Sequence, residues 1–425
     1  MRVLILVDCY YPSMKSGAKL VHDLAVELSQ RGFQAIVLTP SDAITDKAEI
    51  RTEDGCTVVR VRTGKIKGAG KIQRAIREAR LSADLWHGAM EFLRKNRCDL
   101  IVFYSPTIFF GPLVRRLKRL WKCPAYLILR DIFPDWAVDA GVLKEAIVYW
   151  HFRRVALAQY RVADLIAVQS PANLTYLERR CAGEKFKLKV LFNWTASRES
   201  ALPTTNYREQ LGLAGKQVFL YGGNIGVAQD MDNILRLACR LKSRQDIQFL
   251  LIGEGSEVPR LRKTIEREDL TNVRIISGIP QEEYLAMVSE FDFGLISLHA
   301  RLTSHNVPGK LLSYLYWGLP VLASVNPAND LFDLLHENRA GLCVQNGYDD
   351  DLLQAALRLA NDRALCATMR RNARRLLEST FSVENAVSQI FEHLREFHLL
   401  PVESTSFIRR TPVPGFTPIE VPDGP

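Results

Sequence analysis

Val218-Phe219-Leu220-Tyr221 is an unbroken apolar run that ends in Gly222-Gly223-Asn224, after which helical spacing begins near Asp232. An apolar run without alternation predicts a parallel strand covered on both faces, and glycine after it predicts a tight turn into the covering helix. The unit recurs. Gln248-Phe249-Leu250-Leu251-Ile252 leads into Gly253-Glu254-Gly255, and Val273-Arg274-Ile275-Ile276 leads into Ser277-Gly278-Ile279-Pro280. Phe293-Gly294-Leu295-Ile296 and Val321-Leu322-Ala323 continue the series.

Upstream the alternation is the same. Strand-like runs stand at Val3 to Val7, Ala35 to Leu38, Val58 to Val61, Leu100 to Phe103, Ala125 to Leu129 and Leu165 to Val168. Leu20, Val21, Leu24, Ala25 and Leu28 recur at helical spacing, with Gly32 just past the end. Periodicity lapses over 193–208. The expected class is therefore α/β, with two doubly wound, Rossmann-like domains: 1–195, a linker 196–208, and 209–380. A last amphipathic helix within 381–400, at roughly 383–398, is expected to return to the first domain. The proline-bearing tail 401–425 is expected to be disordered. Two such domains leave a cleft at the C-terminal ends of both sheets, where open α/β sheets bind ligands.

At 425 residues the chain is too long for one ordinary core. With 47% hydrophobic and 24% charged residues it is no disordered chain, collagen or coiled coil. No apolar run approaches a membrane span, and Arg2 ahead of a short strand is no secretory signal. Cys9, Cys56, Cys98, Cys123, Cys181, Cys239, Cys343 and Cys366 form no Cys-x-x-Cys pair, which reads as reduced thiols in a cytoplasm. Charge is lopsided. Residues 1–200 hold 33 Lys and Arg against 20 Asp and Glu, while the remainder is net acidic, so the first half is expected to meet something anionic.

Four glycine turns carry the chemistry of the second half: Gly222-Gly223-Asn224, Gly253-Glu254-Gly255, Gly278-Ile279-Pro280 and Pro308-Gly309-Lys310. Glycine admits close approach of backbone N–H groups to a phosphate, although any one alone is equally a tight strand-to-helix turn. None is a Walker loop or a Gly-x-Gly-x-x-Gly fingerprint. Asp230-Met231-Asp232 matches a metal-binding Asp-x-Asp only formally, since it lies at a helix start; no metal and no cofactor are expected.

Residues 218–326 resemble the donor domain of retaining GT-B glycosyltransferases of family 4. The likeness is carried by Tyr221 to Gly226, Leu251 to Gly255, Gly278 with Glu282-Glu283-Tyr284, Phe291 to Gly294, and above all Val307-Pro308-Gly309-Lys310-Leu311-Leu312-Ser313 through Pro320-Val321. In the first half Pro12 and Ser16-Gly17 stand where the family's glycine loop lies. Arg130-Asp131-Ile132-Phe133-Pro134-Asp135 resembles the WbuB-type subgroup of bacterial surface polysaccharide assembly. The resemblance implies a donor site of Gly223, Asn224, Gln229, Gly253, Gly278, Ile279, Pro280, His305, Asn306, Val307, Pro308, Gly309 and Ser313, with Ser16 and Gly17 on the acceptor side. Many family members carry two Glu where His305 and Ser313 stand, and Arg and Lys where Asn224 and Gln229 stand. A diphosphate left unpaired in a closing cleft is costly, so Lys310 is the expected replacement cation, against the alternative of a solvated lysine at a helix start. Arg130 and Asp131 end a buried strand and face the cleft. Arg130 is expected to stabilise phosphate and Asp131 to orient or deprotonate an acceptor hydroxyl; alternatively the pair caps its own loop.

The implied substrates are a nucleotide-sugar donor, UDP-linked, and a polyprenyl-diphosphate-linked acceptor, with no metal and no nucleic acid. Leu113 to Lys122 sets apolar residues at helical spacing among cations, which suits an anionic membrane surface or, equally, a helix laying its Leu stripe on the sheet. Lys65, Lys67, Lys71, Arg74, Arg77 and Arg80 add charge nearby. The expected location is cytoplasmic, peripheral on the inner face of the plasma membrane. A nucleotide-sugar epimerase of the same fold and a nucleic-acid-binding protein using the basic half are the competing readings.

Overall fold

A computed structural model of the chain describes residues 1–13, 16–64, 71–139, 143, 145–196, 203–302 and 307–400, without the side chains of Ser16, Trp136, Asp139 and residues 71–76. The tail from 401, Lys65, Lys67, and positions 197–202 of the expected linker lie outside these residues, as do the side chains of Lys71 and Arg74.

The aliphatic runs of the first half pair into an eight-stranded sheet. Its strands are β1 (Arg2–Leu6), β2 (Gln34–Ser41), β3 (Ala48–Glu53), β4 (Cys56–Arg62), β5 (Leu100–Ser105), β6 (Ala125–Leu129), β7 (Leu165–Val168) and β8 (Leu188–Val190), ordered β3-β4-β2-β1-β5-β6-β7-β8. All neighbours are parallel except β3 and β4. Sequence reading missed β3, which alternates polar residues at the sheet edge. Its signal was present: Asp54-Gly55, both at positive φ, is the pair a two-residue hairpin turn demands.

Helices cover both faces. α1 (Ser16–Gln30) lies on one, and α2 (Lys71–Lys95), α3 (Gly111–Trp121) and α5 (Ala146–Tyr160) on the other, with α4 (Asp135–Asp139) and α6 (Pro171–Arg180) at connections. α3 corrects the expectation for 113–122. Leu113, Val114, Leu117 and Trp121 all pack into the core beneath it. Trp121 is 2% exposed and its indole N–H donates to the Leu93 carbonyl at 3.2 Å. That ring is inside the protein and cannot sit at a bilayer interface. The stripe is apolar because the sheet needs covering.

The second sheet has six strands: β9 (Gln217–Gly222), β10 (Ile247–Ile252), β11 (Val273–Ile276), β12 (Phe293–Ser297), β13 (Val321–Val325) and β14 (Gly341–Gln345). Their order is β11-β10-β9-β12-β13-β14, all parallel. The helices are α7 (Tyr207–Gln210), α8 (Met231–Arg240), α9 (Val258–Arg267), α10 (Gln281–Val288), α11 (Lys310–Trp317), α12 (Leu331–Glu337), α13 (Asp349–Asn361), α14 (Arg363–Leu376) and α15 (Val383–Glu396). Among the parallel strands of each sheet the order reverses once, between β1 and β5 and between β9 and β12.

The chain leaves the first sheet and comes back to it at one place. Thr195 N–H donates to the Phe381 carbonyl at 2.9 Å, and Val383 N–H to the Thr195 carbonyl at 3.0 Å. α15 then lies on α1, where Val383, Val387, Ile390, Phe391 and Leu394 share one apolar cluster with Val3, Ile5 and Leu24. Arg31 of the first domain reaches the Glu384 carbonyl at 2.6 Å. Phe391, fully buried, stacks on Phe33 with ring centroids 4.8 Å apart. Phe391→Ala leaves a cavity that neither α1 nor the sheet can collapse into, so it should cost about 3 kcal/mol, read as a lower unfolding midpoint in urea.

Candidate active site

The reversal between β9 and β12 leaves the two strands paired only at Phe293 with Phe219 and Gly294 with Leu220. Tyr314 of α11 fills the widening gap. Its hydroxyl accepts from Gly222 N–H at 3.2 Å and lies 3.1 Å from the carbonyls of Leu220 and Leu295, so one side chain satisfies backbone groups of both strands. Gly294 is what admits the ring: a Cβ there would stand 2.4 Å from it. α11 begins just after Pro308, whose fixed φ suits a helix start, and stops at Gly318 in the left-handed conformation (φ 70°).

Tyr314 thereby fixes the helix whose first residue is Lys310. Lys310 is half-buried, with Nζ 3.6 Å from the centroid of the buried Tyr221 ring. A Cβ on Gly223 would lie 3.6 Å from Lys310 Cε. Among the described residues no carboxylate pairs with this ammonium, and desolvation pushes its pKa down to about 7. A cation–π contact offsets only part of the lost hydration.

The glycine turns pack against one another. Gly253 (φ 149°) is required, since a Cβ would stand 1.9 Å from the Gly223 carbonyl oxygen. Gly278 and Gly309 are different. Neither has a strained φ, and a Cβ would meet nothing within 4 Å at Gly309 and nothing nearer than 3.9 Å at Gly278. These two positions leave open space where the backbone faces the cleft. Asn224 and Gln229 are engaged with each other: Gln229 Oε1 accepts from Asn224 Nδ2 at 3.0 Å and from Gly226 N–H at 3.1 Å, closing the turn after β9. Ile279 is half-buried, and Pro280 starts α10. Val307 is buried in the core, whereas Ser313 sits half-buried one turn on from Lys310, on the same face of α11. His305 and Asn306 lie outside the described residues. The approach to them is pinned: Asn346 donates to the Leu298 carbonyl at 2.8 Å and Asn326 to the Leu302 carbonyl at 3.0 Å.

In the first domain, Arg130 and Asp131 follow β6 beside Asp8, which follows β1, and Tyr104 at the end of β5. Arg130 Nη1 is buried with no hydrogen-bond partner. Burial raises the Asp131 carboxyl pKa, with Arg130 opposing and Asp8 adding to the rise. Burial likewise pushes the Tyr104 hydroxyl up to about 12, with Arg130 opposing and Asp131 and Asp8 adding to it. Gly17, near the start of α1, lies over the Tyr104 ring, with space for a Cβ only 3.2 Å from it; Ser16 opens the same helix. The Arg130 carbonyl accepts from Gln169, which in turn accepts from Asn193 at 3.2 Å. Sequence reading missed Asp8, Tyr104 and Tyr314. Asp8 and Tyr104 share one signal, a polar or aromatic group at the C-terminal end of a strand beside the reversal.

Both sets of loops face the same side. The Asp330 carboxylate, after β13, accepts from Ala172 N–H at 3.1 and 3.2 Å at the start of α6, after β7. The formal Asp-x-Asp is taken apart: Asp232 holds Arg260 through two contacts at 2.9 Å, and Asp230 accepts from Asn346 at 2.9 Å. Among the described residues no group of three or more His, Cys, Asp or Glu is placed to hold a metal.

Residues 17–194 match the glycosyl transferase 4-like domain and residues 203–376 match glycosyl transferases group 1. The chain belongs to the family 4 glycosyltransferases of GT-B architecture. It is 27% identical to the probable glycosyltransferase WbjE of Pseudomonas aeruginosa over 51% of this chain and 54% of that protein, so it spans about half the length of that relative. It is 22% identical to the putative colanic acid biosynthesis glycosyl transferase WcaI of Escherichia coli over 93% of this chain and 100% of WcaI. Sucrose-phosphate synthase from Thermosynechococcus elongatus shares the fold with TM-score 0.71 and 17% identity, covering 93% of this chain and 99% of its own. Anabaena HepE, solved with UDP-glucose, does so with TM-score 0.65 and 17% identity, over 93% and 100%.

The buried lysine carries a stability cost with a definite pH window. Its folded pKa lies below the unfolded value of 10.5, so the penalty is complete below pH 7 and is relieved as pH rises from 7 towards 10.5. Lys310→Met should therefore stabilise the protein by about 2–4 kcal/mol at pH 6 and by much less at pH 10, measured by urea unfolding at the two values.

Proposed function

We propose that the protein is a retaining, metal-independent glycosyltransferase that moves an N-acetylated sugar from a UDP donor to a polyprenyl-diphosphate-linked glycan acceptor. The observation that carries this reading is the half-buried Lys310, whose ammonium lies over Tyr221, beside the Gly223 turn and, among the described residues, without a carboxylate partner. A half-buried cation lacking a counter-charge is stabilised by an arriving diphosphate, and it gains most as the leaving group's charge develops. The open backbone at Gly278 and Gly309 supports entry of the nucleotide there. Arg130, with a buried and unpartnered Nη1, supplies a second anion contact from the opposite domain. Asp131, raised in pKa by burial, orients the acceptor hydroxyl, while the departing diphosphate accepts its proton on the face the sugar is leaving.

Several comparisons support the same reading. HepE is solved with UDP-glucose, and WcaI is named for colanic acid biosynthesis. The Arg130-Asp131-Ile132-Phe133-Pro134 segment, which resembles that of the WbuB-type subgroup, makes UDP-N-acetyl-L-fucosamine the first donor to try. Neither the epimerase nor the nucleic-acid reading is favoured, since both domains match glycosyltransferase families.

Incubation with a panel of UDP-sugars and a short polyprenyl-diphosphate glycan, with and without a chelator, should give chelator-resistant transfer with the donor's anomeric configuration kept, as read by NMR. An inverted product, loss of activity on chelation, or no transfer from any UDP-sugar overturns the corresponding element. Donor binding carries its own pH signature. Above pH 7 the empty site's lysine is neutral and must take up a proton to pair with diphosphate. The Kd for UDP should therefore rise by about tenfold per pH unit above 7 until the complex itself deprotonates. Lys310→Met should flatten that slope and weaken UDP binding about a hundredfold at pH 6.5, by calorimetry.

A further inference from the structure

The apolar stripe of α3 is turned inward, with Leu120 alone left 43% exposed on that helix, and the most exposed apolar side chains described in the first domain lie on α5. Ile147 is 86% exposed and Trp150 58%, one turn apart on α5, and Val138 on α4 is 43% exposed. Large side chains standing this far out on consecutive elements are not the scattered apolar residues of an ordinary surface.

Their position follows from topology. α5 leads into the parallel strand β7, so its C-terminus lies at the N-terminal end of the sheet and its first turn lies about 22 Å away, at the end that forms the cleft. α4 continues directly from the stretch carrying Arg130 and Asp131. Asp135 fixes this corner, accepting from the Tyr149 hydroxyl at 2.8 Å and from Arg180 Nε at 3.1 Å. The knob is therefore held rigidly at the rim of the acceptor side.

Cations surround it. The Arg153 guanidinium lies 5.8 Å from the Trp150 ring centroid, and Arg154 is exposed on the same helix. α3 packs beside α5 in the same layer, with Gln159 Oε1 accepting from Phe110 N–H at 2.8 Å. Arg115 and Arg116 of α3 point outward from that layer. A tryptophan and an isoleucine set within a positively charged collar fit one partner chemistry: an apolar layer beneath a negatively charged surface, which is an anionic bilayer.

We propose that Ile147 and Trp150 insert into an anionic membrane, flanked by the outward cations of α3 and α5, so that the acceptor side of the cleft opens at the lipid surface. This rests on the reading of a lipid-linked acceptor, but its test requires neither donor nor acceptor. The full-length protein should float with vesicles of phosphatidylcholine and phosphatidylglycerol, and less with phosphatidylcholine alone. The double variant Ile147→Ser, Trp150→Ser should lose about tenfold in vesicle partitioning, with unchanged UDP binding and thermal unfolding, since both side chains are exposed. Absence of wild-type flotation with anionic vesicles overturns the proposal, as does equal flotation of the double variant. A variant that turns from dimer to monomer with unchanged flotation also overturns it and assigns the patch to a second copy of the chain. If flotation behaves as expected while no UDP-sugar is ever transferred, the membrane surface stands and the catalytic reading fails on its own.

Discussion

Parallel strands that part company leave backbone groups with nothing to pair with, and the second domain depends on how that gap is closed. Between β9 and β12 the closure is Tyr314, whose hydroxyl serves Gly222, Leu220 and Leu295 at once. Because Tyr314 belongs to α11, closing the sheet also fixes that helix. Lys310 is one turn earlier on it, so the ammonium is placed by a contact made to satisfy the sheet. Gly294 makes room for the ring. Structural need and chemical placement thus share one helix of eight residues.

The lysine shows what such placement costs and permits. An ammonium without a carboxylate partner is disfavoured by desolvation, and the face of Tyr221 offsets part of this. In a site that receives a diphosphate the same deficit becomes a source of affinity. Arg130 repeats the pattern in the other domain, with a buried guanidinium nitrogen unpaired. Its backbone is tied through Gln169 to Asn193, at the point where the chain crosses over. The two crossovers pair at Thr195, and Asp330 meets Ala172 across the domains, so the opposed groups sit on a connected frame.

Much of this was legible in the residues. Continuous aliphatic runs gave most strands of both sheets, and with them the existence of the cleft, because a parallel strand must be apolar on both faces. The edge strands β3, β8 and β14 escaped, since edge strands need not be apolar. The turns at Gly223, Gly253, Gly278 and Gly309 were visible, yet their difference in kind was not: Gly253 is demanded by a neighbouring carbonyl, whereas Gly309 faces open space. Asn224 and Gln229, read as donor contacts by position, are also bonded to each other, which a sequence cannot show.

By itself the sequence determined the class of the fold, the order of its domains and the position of a lysine at the head of a helix, because periodicity and turn chemistry are local. Only the tertiary structure decided which way an amphipathic helix turns. The stripe of α3 went inward because the sheet had to be covered, leaving Ile147 and Trp150 of a less regular helix outside. It also decided that Lys310 is desolvated rather than solvated. Burial is a property of what packs around a residue, and that packing comes from segments far away in the chain.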